Sequence, residues 1–287
     1  MIIVKVFGGL GNELFQYALY RKLQISGREV YGDISYLIRL RENGFPTIDL
    51  FPKMKLQVVD EEERERLGDV SRSIIAKIRR KFWRKKSHIR EDVKTKYFQK
   101  EILRMDEVYL DGYWQSDLYF SDIREELLVE LEFPEVHGQK NRELVLKMRE
   151  KNSVSIHFRR GDYLQGKLAE IYGEACPDSY YKNAIDYFRR EYQDVHFYMF
   201  SNDPDWVRKQ YSGFGMTIVD WNLGRNSYWD MYLMSQCKHN IIANSSFSWW
   251  GAWLNKNKDK KVIAPGSWFN PKFIVEKDIV CKEWIRM

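Results

Sequence analysis

The stretch VHFYMFSNDPDWVRKQY, residues 195–211, contains the structural unit on which the second half of the chain is built. Its first six residues are mostly apolar and rich in aromatic side chains, which is typical of a buried strand. The polar segment that follows contains Asp203 and Pro204, which are favoured as the N-cap and the first residue of a helix. The stretch therefore predicts a strand that passes directly into a helix.

The same alternation extends outward from this stretch in both directions. Further strands are predicted at 153–159, 216–219, 240–243 and 261–264, and further helices at 178–192, 228–238 and 247–255. Alternating strands and helices favour a parallel sheet that is covered by helices on both faces.

The N-terminal half begins with a second strand, turn and helix. IIVKVF (2–7) predicts a buried strand, GGLG (8–11) a turn, and the apolar spacing after Asn12 a helix that ends at Gly27. We therefore expect an α/β protein with two Rossmann-like domains that face a central cleft. The domains are expected at 1–150 and 151–287, with the boundary region in 134–152 and the C-terminal tail packed back on the first domain.

Composition excludes several classes of protein. The 287 residues are 44% hydrophobic and 31% charged, which favours a folded chain over a disordered one. No apolar run reaches eighteen residues and the N-terminus lacks the features of a signal peptide, so we expect neither a membrane span nor secretion. Three widely spaced cysteines indicate a reduced compartment and no structural zinc. The expected location is the cytoplasm.

The net charge of +6 is concentrated in one segment, residues 72–96, which contains eleven basic and two acidic residues. Ile74, Ile75, Ile78 and Phe82 share one helical face there. Such a segment can contact an anionic membrane, and we expect peripheral contact with the inner face of the membrane. The alternatives are nucleic-acid binding, which we do not expect, and a solvated helix with an ordinary buried side.

Polar segments follow several of the predicted strands, where ligands bind in open parallel sheets. In Gly8–Asn12, glycines before a helix let backbone N–H groups approach a phosphate, although a tight turn explains them equally well. In HFRRGDY (157–163), two arginines suit bidentate contacts with phosphate. An Arg160–Asp162 ion pair and a chance adhesion tripeptide are the alternatives.

Two later segments have the same character. Asp203-Pro204-Asp205 has the Asp-X-Asp form of metal-dependent glycosyltransferases, but the proline and the capping position favour a structural use. Ser245, Ser246 and Ser248 open a helix and could supply donors to a phosphate. Simple capping of a helix with a tryptophan-rich core is the alternative for these serines.

Taken together, these segments resemble glycosyltransferase family 11, the α1,2-fucosyltransferases. The segments that carry the resemblance are GGLGNELFQYA (8–18), DGYWQSDLYF (111–120), HFRRGDY (157–163), FSNDPDW (200–206) and SSFSWWGAW (245–253). The resemblance implies a GT-B-like fold and an inverting transfer of fucose, without a metal or other cofactor. The implied donor is GDP-fucose, and the implied acceptor is the 2-hydroxyl of a terminal β-galactoside.

Roles for individual residues follow from the resemblance. Arg159 would contact the β-phosphate, supported by Arg160 and His157, and Asp230 would accept hydrogen bonds from guanine. The remaining donor-binding residues would be Gly9, Gly11, Asn12, Ser245, Ser246 and Phe247.

The first motif departs from the family at Glu13, where members usually carry glutamine. A carboxylate near a pyrophosphate would be repelled, so Glu13 is expected to point away, to contact the acceptor, or to serve as the general base. The candidates for that base are Asp162, Glu13 and His157, in this order. Another metal-independent nucleotide-sugar transferase is the alternative reading of the whole pattern.

Overall fold

The computed structural model describes residues 1–40, 50–71, 73–136, 138–211, 213 and 215–287, without the side chains of Leu40 and Asp162. These residues form two compact units, Met1–Pro134 and Glu135–Met287. Each unit contains a parallel sheet with helices, so the expected α/β class is confirmed.

The first unit is built on a four-stranded parallel sheet in the order β2–β1–β5–β3. Its elements are β1 (Ile2–Lys5), α1 (Leu10–Ile25), β2 (Val30–Asp33), α2 (Ser35–Leu40), α3 (Glu61–Leu67), α4 (Ile74–Phe82), β3 (His88–Arg90), β4 (Thr95–Lys96), β5 (Val108–Asp111) and α5 (Arg124–Glu130). The predicted first strand and helix are confirmed, whereas β5, in the middle of this sheet, was not predicted.

A buried amide fixes the carboxyl end of this sheet. Gln16 on α1 accepts a hydrogen bond from the Phe7 N–H at 2.8 Å and donates to the Gly112 carbonyl at 3.0 Å. Its side chain is completely buried, so neither group of the amide could exchange this partner for water without loss. The first helix is thereby tied to the ends of β1 and β5.

The second unit is built on a six-stranded parallel sheet in the order β12–β10–β9–β6–β7–β8. Its elements are α6 (Gln139–Glu150), β6 (Asn152–Phe158), α7 (Gly166–Tyr172), α8 (Asp178–Glu191), β7 (Val195–Ser201), α9 (Pro204–Gln210), β8 (Met216–Val219), α10 (Tyr228–Gln236), β9 (His239–Ile241), α11 (Ser246–Trp253), β10 (Val262–Ala264), β11 (Val275–Glu276) and β12 (Ile285–Arg286). The strands and helices predicted from 153 to 264 all form, with ends that differ by one or two residues.

The alternation of side chains along β7 shows how both faces of this sheet are covered. Phe197 and Met199 pack into one core cluster, which also contains residues of α8 and α9. Tyr198 and Phe200 pack into the other, with residues of α6 and α10. A strand buried on both sides has no polar face, which explains why 197–200 consists of large apolar and aromatic residues.

Helix α6 belongs to the second unit. Leu144, Val145 and Met148 pack against Tyr198 and Phe200 of β7. The first unit therefore ends at Pro134, inside the expected boundary region but before the expected last residue, 150. The arginine and lysine content of 134–152 predicts a boundary region, but it does not show with which unit the helix in that region packs.

Helix α4 forms where helical spacing predicted it, but without the ordinary buried side. None of its residues is buried, and Ile74, Ile75 and Phe82 are exposed. Within the described part of the chain, no helix has the length and apolarity needed to cross a membrane.

Asn240 is completely buried in β9, and its replacement tests how much its side-chain hydrogen bonds stabilise the second unit. Its amide donates to Ser155 Oγ at 2.7 Å and to the Met234 carbonyl at 2.8 Å, and accepts from Asn255 Nδ2 at 2.8 Å. Asn240→Ala should lower the free energy of unfolding by about 2–4 kcal/mol, because it removes one side of three buried hydrogen bonds. Urea denaturation measures this change. Asn183→Ala, at an exposed site on α8, should shift it by less than about 0.5 kcal/mol.

Candidate active site

The polar segments of the second unit meet at one edge of its sheet. β6, β7, β8 and β9 are parallel, so the residues that follow them emerge on the same side. In open parallel sheets this edge binds ligands. The edge carries Arg159–Gly161 after β6, Asn202–Asp203 after β7, Asp220–Asn222 after β8 and Ala243–Ser246 after β9.

The turn after β6 is held by Asn202. The Arg160 N–H donates to Asn202 Oδ1 at 2.9 Å, and Asn202 Nδ2 donates to the Arg160 carbonyl at 3.3 Å. Gly161 has φ +58°, and a Cβ atom there would lie 2.7 Å from Asn202 Nδ2. Glycine is therefore required for two reasons, the left-handed backbone and the close amide. This clamp fixes the direction in which both arginines leave the strand.

Arg160 is oriented by its neighbours on the β7 side. Its guanidinium lies over the Trp206 ring, 3.6 Å from the ring centroid, and its Nε is 3.5 Å from Asp203 Oδ2. A guanidinium that lies against an aromatic ring can still use its N–H groups for planar contacts with an anion. Asp203 is thus the carboxylate near Arg160. The predicted alternative, a pair with Asp162, concerns a side chain outside the described residues.

The aspartates of the Asp-X-Asp segment are used structurally. Asp203 accepts from the Trp206 N–H at 3.2 Å as the N-cap of α9, and Pro204 begins that helix. Asp205 forms an ion pair with Arg208 at 2.5 Å. The predicted cap is confirmed, and both carboxylates already have partners in the protein.

Arg159 and Arg160 line a pocket of about 180 Å³ within the second unit. The Arg159 guanidinium lies 5.0 Å from the centroid of the Tyr163 ring, which stacks on Tyr172. Other lining residues are Phe158, Leu164, Gly173, Cys176, Pro177, Asp178, Tyr181, Trp206 and Asn244. Two cations in a pocket with aromatic walls suit an anionic ligand that also has an apolar part.

Hydrogen bonds hold Asn244, one of the residues that line the pocket. Asn244 donates to the carbonyls of Tyr172 and Trp268, at 3.1 and 3.0 Å, and accepts from Cys176 Sγ at 3.5 Å. Burial raises the pKa of the Cys176 thiol to about 12, so this thiol stays protonated and is not a nucleophile. The pocket can therefore bind and orient a ligand, but its cysteine does no chemistry.

His157 lies on the opposite face of β6, with its ring 5.8 Å from that of Phe247. Burial, and secondarily the charge of Arg159, lowers the pKa of His157 to about 3. Its Nδ1 is buried and has no hydrogen-bond partner among the described residues. A histidine that is protonated only near pH 3 is a weak proton acceptor, which argues against His157 as the general base.

Asp230, in the first turn of α10, is oriented by a chain of amides. Asn222 Nδ2 donates to Asp230 Oδ1 at 2.8 Å, Asn141 Nδ2 donates to Asn222 Oδ1 at 3.0 Å, and Trp221 Nε1 donates to Asn141 Oδ1 at 2.7 Å. Burial raises the pKa of Asp230 to about 7, although the hydrogen bond from Asn222 opposes the shift. A desolvated carboxyl with one fixed oxygen is suited to recognise a donor pair on a ligand.

The serines at the start of α11 do not cap it. Ser245 is the N-cap residue, but its side chain makes no capping hydrogen bond, whereas Ser248 bonds to the carbonyls of Ala243 and Ser245. Within the described chain, no hydrogen bond involves the side chains of Ser245 and Ser246. Simple capping therefore does not explain these two serines. Their hydroxyls, together with the N–H groups at the helix N-terminus, can bind an anion.

The glycine turn of the first unit is fixed around Asn12. Gly8 has φ +100°, and a Cβ atom there would lie 3.0 Å from Asn12 Nδ2. Gln115 Nε2 donates to Asn12 Oδ1 at 2.8 Å. Gly9 is the exposed N-cap of α1 and Gly11 is buried in its first turn. Glu13 is only 3% exposed, which favours the expectation that it points away from a ligand.

Several residues of the site were not singled out from the sequence. Asn202 and Trp206 lie in FSNDPDW (200–206), where roles were given only to the aspartates and the proline, and Asn141 and Asn222 lie in no noted motif. Their contacts depend on strand neighbours far away in the chain. Only the segment FSNDPDW (200–206), quoted for the resemblance, signalled the first two.

Comparison with known proteins decides the family. The model of glycosyl transferase family 11 matches residues 69–287. The chain belongs to this family. It is 31% identical to an α-1,2-colitosyltransferase of Escherichia coli over 297 aligned positions, which cover 100% of this chain and 99% of that protein. The O-antigen biosynthesis glycosyltransferase WbnK of Escherichia coli is 31% identical, covering 91% and 93%. Galactoside α-(1,2)-fucosyltransferase 1 of Leontopithecus chrysomelas is 28% identical, covering 50% and 42%. The chain is therefore a glycosyltransferase.

The Asn202 clamp should matter more for glycosyl transfer than for stability. Asn202→Ala removes both bonds to the Arg160 backbone, and we expect kcat/KM to fall by about tenfold to a hundredfold as the arginines lose their fixed direction. The free energy of unfolding should fall by only about 1–2 kcal/mol. Asn202→Asp retains the acceptor for the Arg160 N–H and should give an intermediate rate. Equal rates for the three proteins would contradict the positioning role.

Proposed function

We propose that this member of glycosyl transferase family 11 transfers L-fucose from GDP-fucose to the 2-hydroxyl of a terminal β-galactoside, with inversion at the anomeric carbon. The observation that carries the proposal is the convergence at one sheet edge of three features. These are the Arg159–Arg160 pair, the serines at the start of α11 whose side chains do not cap the helix, and the half-buried carboxyl of Asp230.

The pyrophosphate of the donor would lie among Arg159, Ser245 and Ser246. Guanidinium groups and a helix N-terminus both stabilise negative charge, which grows on the pyrophosphate as the bond to the sugar breaks. Arg160, held on Trp206, would support this charge. Roles for Gly9, Gly11 and Asn12 with the donor remain predictions from the first motif, as does the acceptor-side role of the N-terminal domain.

Asp230 would recognise the guanine base. Guanine presents two adjacent donors, N1–H and the N2 amino group, which a carboxylate accepts in a bidentate manner. The hydrogen bond from Asn222 Nδ2 to Asp230 Oδ1 fixes the orientation of the carboxyl group. Phe247 would lie beside the phosphate that Ser245 and Ser246 bind. Adenine lacks this donor pair, so Asp230 is the group that would select the nucleotide.

In the proposed reaction the acceptor 2-hydroxyl attacks the anomeric carbon from the face opposite GDP. The bond from carbon to phosphate oxygen breaks, and GDP leaves with the electron pair. The hydroxyl proton passes to a base, for which Asp162 is the first candidate, since His157 is a weak proton acceptor and Glu13 is buried. The proposal requires no metal or other cofactor, and transfer that survives EDTA would support this.

Colitosyl transfer is the second candidate, because a full-length relative is an α-1,2-colitosyltransferase. Colitose is fucose without the 3-hydroxyl, so both donors would present the same nucleotide and the same reacting carbon. The difference would lie in how the site contacts the 3-position of the sugar.

The decisive experiment offers GDP-fucose, GDP-colitose and UDP-galactose to the purified protein with a β-galactoside acceptor, and assigns the linkage by mass spectrometry. We expect 2-linked product from GDP-fucose. Arg159→Ala should lower kcat by about 10²–10³-fold, as for loss of a group that stabilises transition-state charge. Arg190→Ala, at an exposed site on α8, should leave the rate unchanged. Turnover of GDP-colitose alone would favour the second candidate, and turnover of UDP-galactose alone would overturn the role of Asp230.

Donor affinity should depend on pH through Asp230. Because burial raises its pKa to about 7, the carboxyl is mostly protonated below that pH and cannot accept both guanine donors. Affinity for GDP-fucose should therefore rise between pH 6 and 8, by up to about tenfold for each pH unit below the pKa, and level off above it. Isothermal titration calorimetry measures this affinity. GDP-fucose is used instead of GDP because the terminal phosphate of GDP itself titrates in this pH range. Asp230→Asn should flatten the profile; an equally steep profile in that variant would assign the titration to another group.

The partners in this proposal are the nucleotide sugar and the glycan acceptor, with no nucleic acid. Contact of residues 72–96 with an anionic membrane surface is proposed as an additional property, independent of the chemistry.

A further inference from the structure

The helix α4 lies on the first unit with its polar side inward. Arg79 pairs with Asp69 and donates to the Trp83 carbonyl at 3.1 Å, while Arg80 donates to the carbonyls of Asp69 and Ser71, at 3.2 and 2.7 Å. Hydrogen bonds from the Lys85 N–H and from Arg79 lower the pKa of Asp69, although burial opposes the shift. Two arginines thus attach the helix to the protein.

The apolar side of this helix consequently faces solvent. The exposed fractions are 74% for Ile74, 81% for Ile75, 58% for Ile78, 64% for Phe82 and 74% for Trp83. Residues 74, 75, 78 and 82 share one face because helix neighbours recur every three or four positions. Large apolar side chains gathered in this way are uncommon on a monomeric surface and mark a site of interaction. We call these five side chains and the backbone between them the α4 apolar face.

Cations flank the α4 apolar face. Lys77, Lys81, Arg84 and Lys86 are exposed, and none of them forms an ion pair with any residue that the structure describes. The arginines that do have acidic or carbonyl partners, Arg79 and Arg80, are the ones turned inward. The surface therefore combines exposed apolar side chains with uncompensated positive charge.

We propose that the α4 apolar face docks on an anionic lipid bilayer, with the helix in the plane of the headgroups. The isoleucines and Phe82 would enter the boundary of the acyl chains, and the four flanking cations would meet lipid phosphates. Trp83 would lie at the headgroup level, where tryptophan is favoured.

Two other occupants fit less well. A second copy of this chain would bring the same four cations close to their counterparts, and a nine-residue helix buries much less than the about 1,000 Å² expected of a stable interface. A nucleic acid would satisfy the cations but would leave three isoleucines without the stacking that bases offer to aromatic rings. An anionic bilayer satisfies both the charge and the apolar surface.

The test is co-sedimentation of the full chain with vesicles of phosphatidylcholine alone and of phosphatidylcholine mixed with phosphatidylglycerol. We expect binding to the mixed vesicles only. Lys77→Gln/Lys81→Gln/Arg84→Gln should weaken it by about fivefold for each lost cation. Ile75→Ser/Phe82→Ser should weaken it by at least about tenfold. Both variants should retain the wild-type melting temperature, because the side chains make no buried contacts.

Matched variants at other surface sites show whether binding depends on the α4 apolar face or only on the total charge and apolar surface of the protein. Lys182→Gln/Lys209→Gln/Lys258→Gln removes the same charge from exposed sites of the second unit, and Val129→Ser/Leu146→Ser removes exposed apolar side chains. Both should bind like the wild type. The proposal is overturned if the wild type fails to sediment with mixed vesicles, if the matched variants lose as much binding, or if Ile75→Ser/Phe82→Ser only abolishes a dimer seen in gel filtration.

Discussion

The position of β6 between β9 and β7 is the constraint on which the candidate site depends. With parallel neighbours on both sides, Phe158 is paired with Ser201, so the residues after both strands must emerge together. Asn202 can then clamp the backbone of Arg160, and Trp206 can lie under its guanidinium. A shift of this pairing by one residue would turn the arginines to the other face of the sheet and break the clamp.

Much of the second unit could be predicted from sequence because its signals are local. The strand 195–200, the cap at Asp203 and Pro204 at the helix start are all read within one short segment. The first unit was harder, because β5 is four residues long and is buried through pairings with β1 and β3 that come from distant parts of the chain. Short strands carry too little periodicity to be recognised without their partners.

For the candidate site as well, the features that depend on local sequence could be predicted and those that depend on distant contacts could not. Arg159, Asp230 and the α11 serines could be named from motifs, since residue type and position beside a strand or helix end suffice. The hydrogen bonds that orient them could not. Asn222 bonds to Asp230 eight residues away, but Asn141 reaches Asn222 only through the packing of α6 on the sheet. Burial also argues against a role that residue type suggested. His157 was a candidate for the general base, but its lowered pKa makes it a weak proton acceptor.

Helix α4 shows that an amphipathic pattern predicts a helix but not which side faces the protein. Burial of its apolar side is the usual outcome, and the sequence of 74–83 contains nothing that forbids it. The orientation is decided by Asp69, a buried carboxylate outside the helix that accepts hydrogen bonds from Arg79 and from the Lys85 N–H. Without those donors Asp69 would be a buried carboxylate with no partner, which is among the most unfavourable groups in a protein. The polar side therefore packs inward, and the apolar side is left for a partner outside the chain.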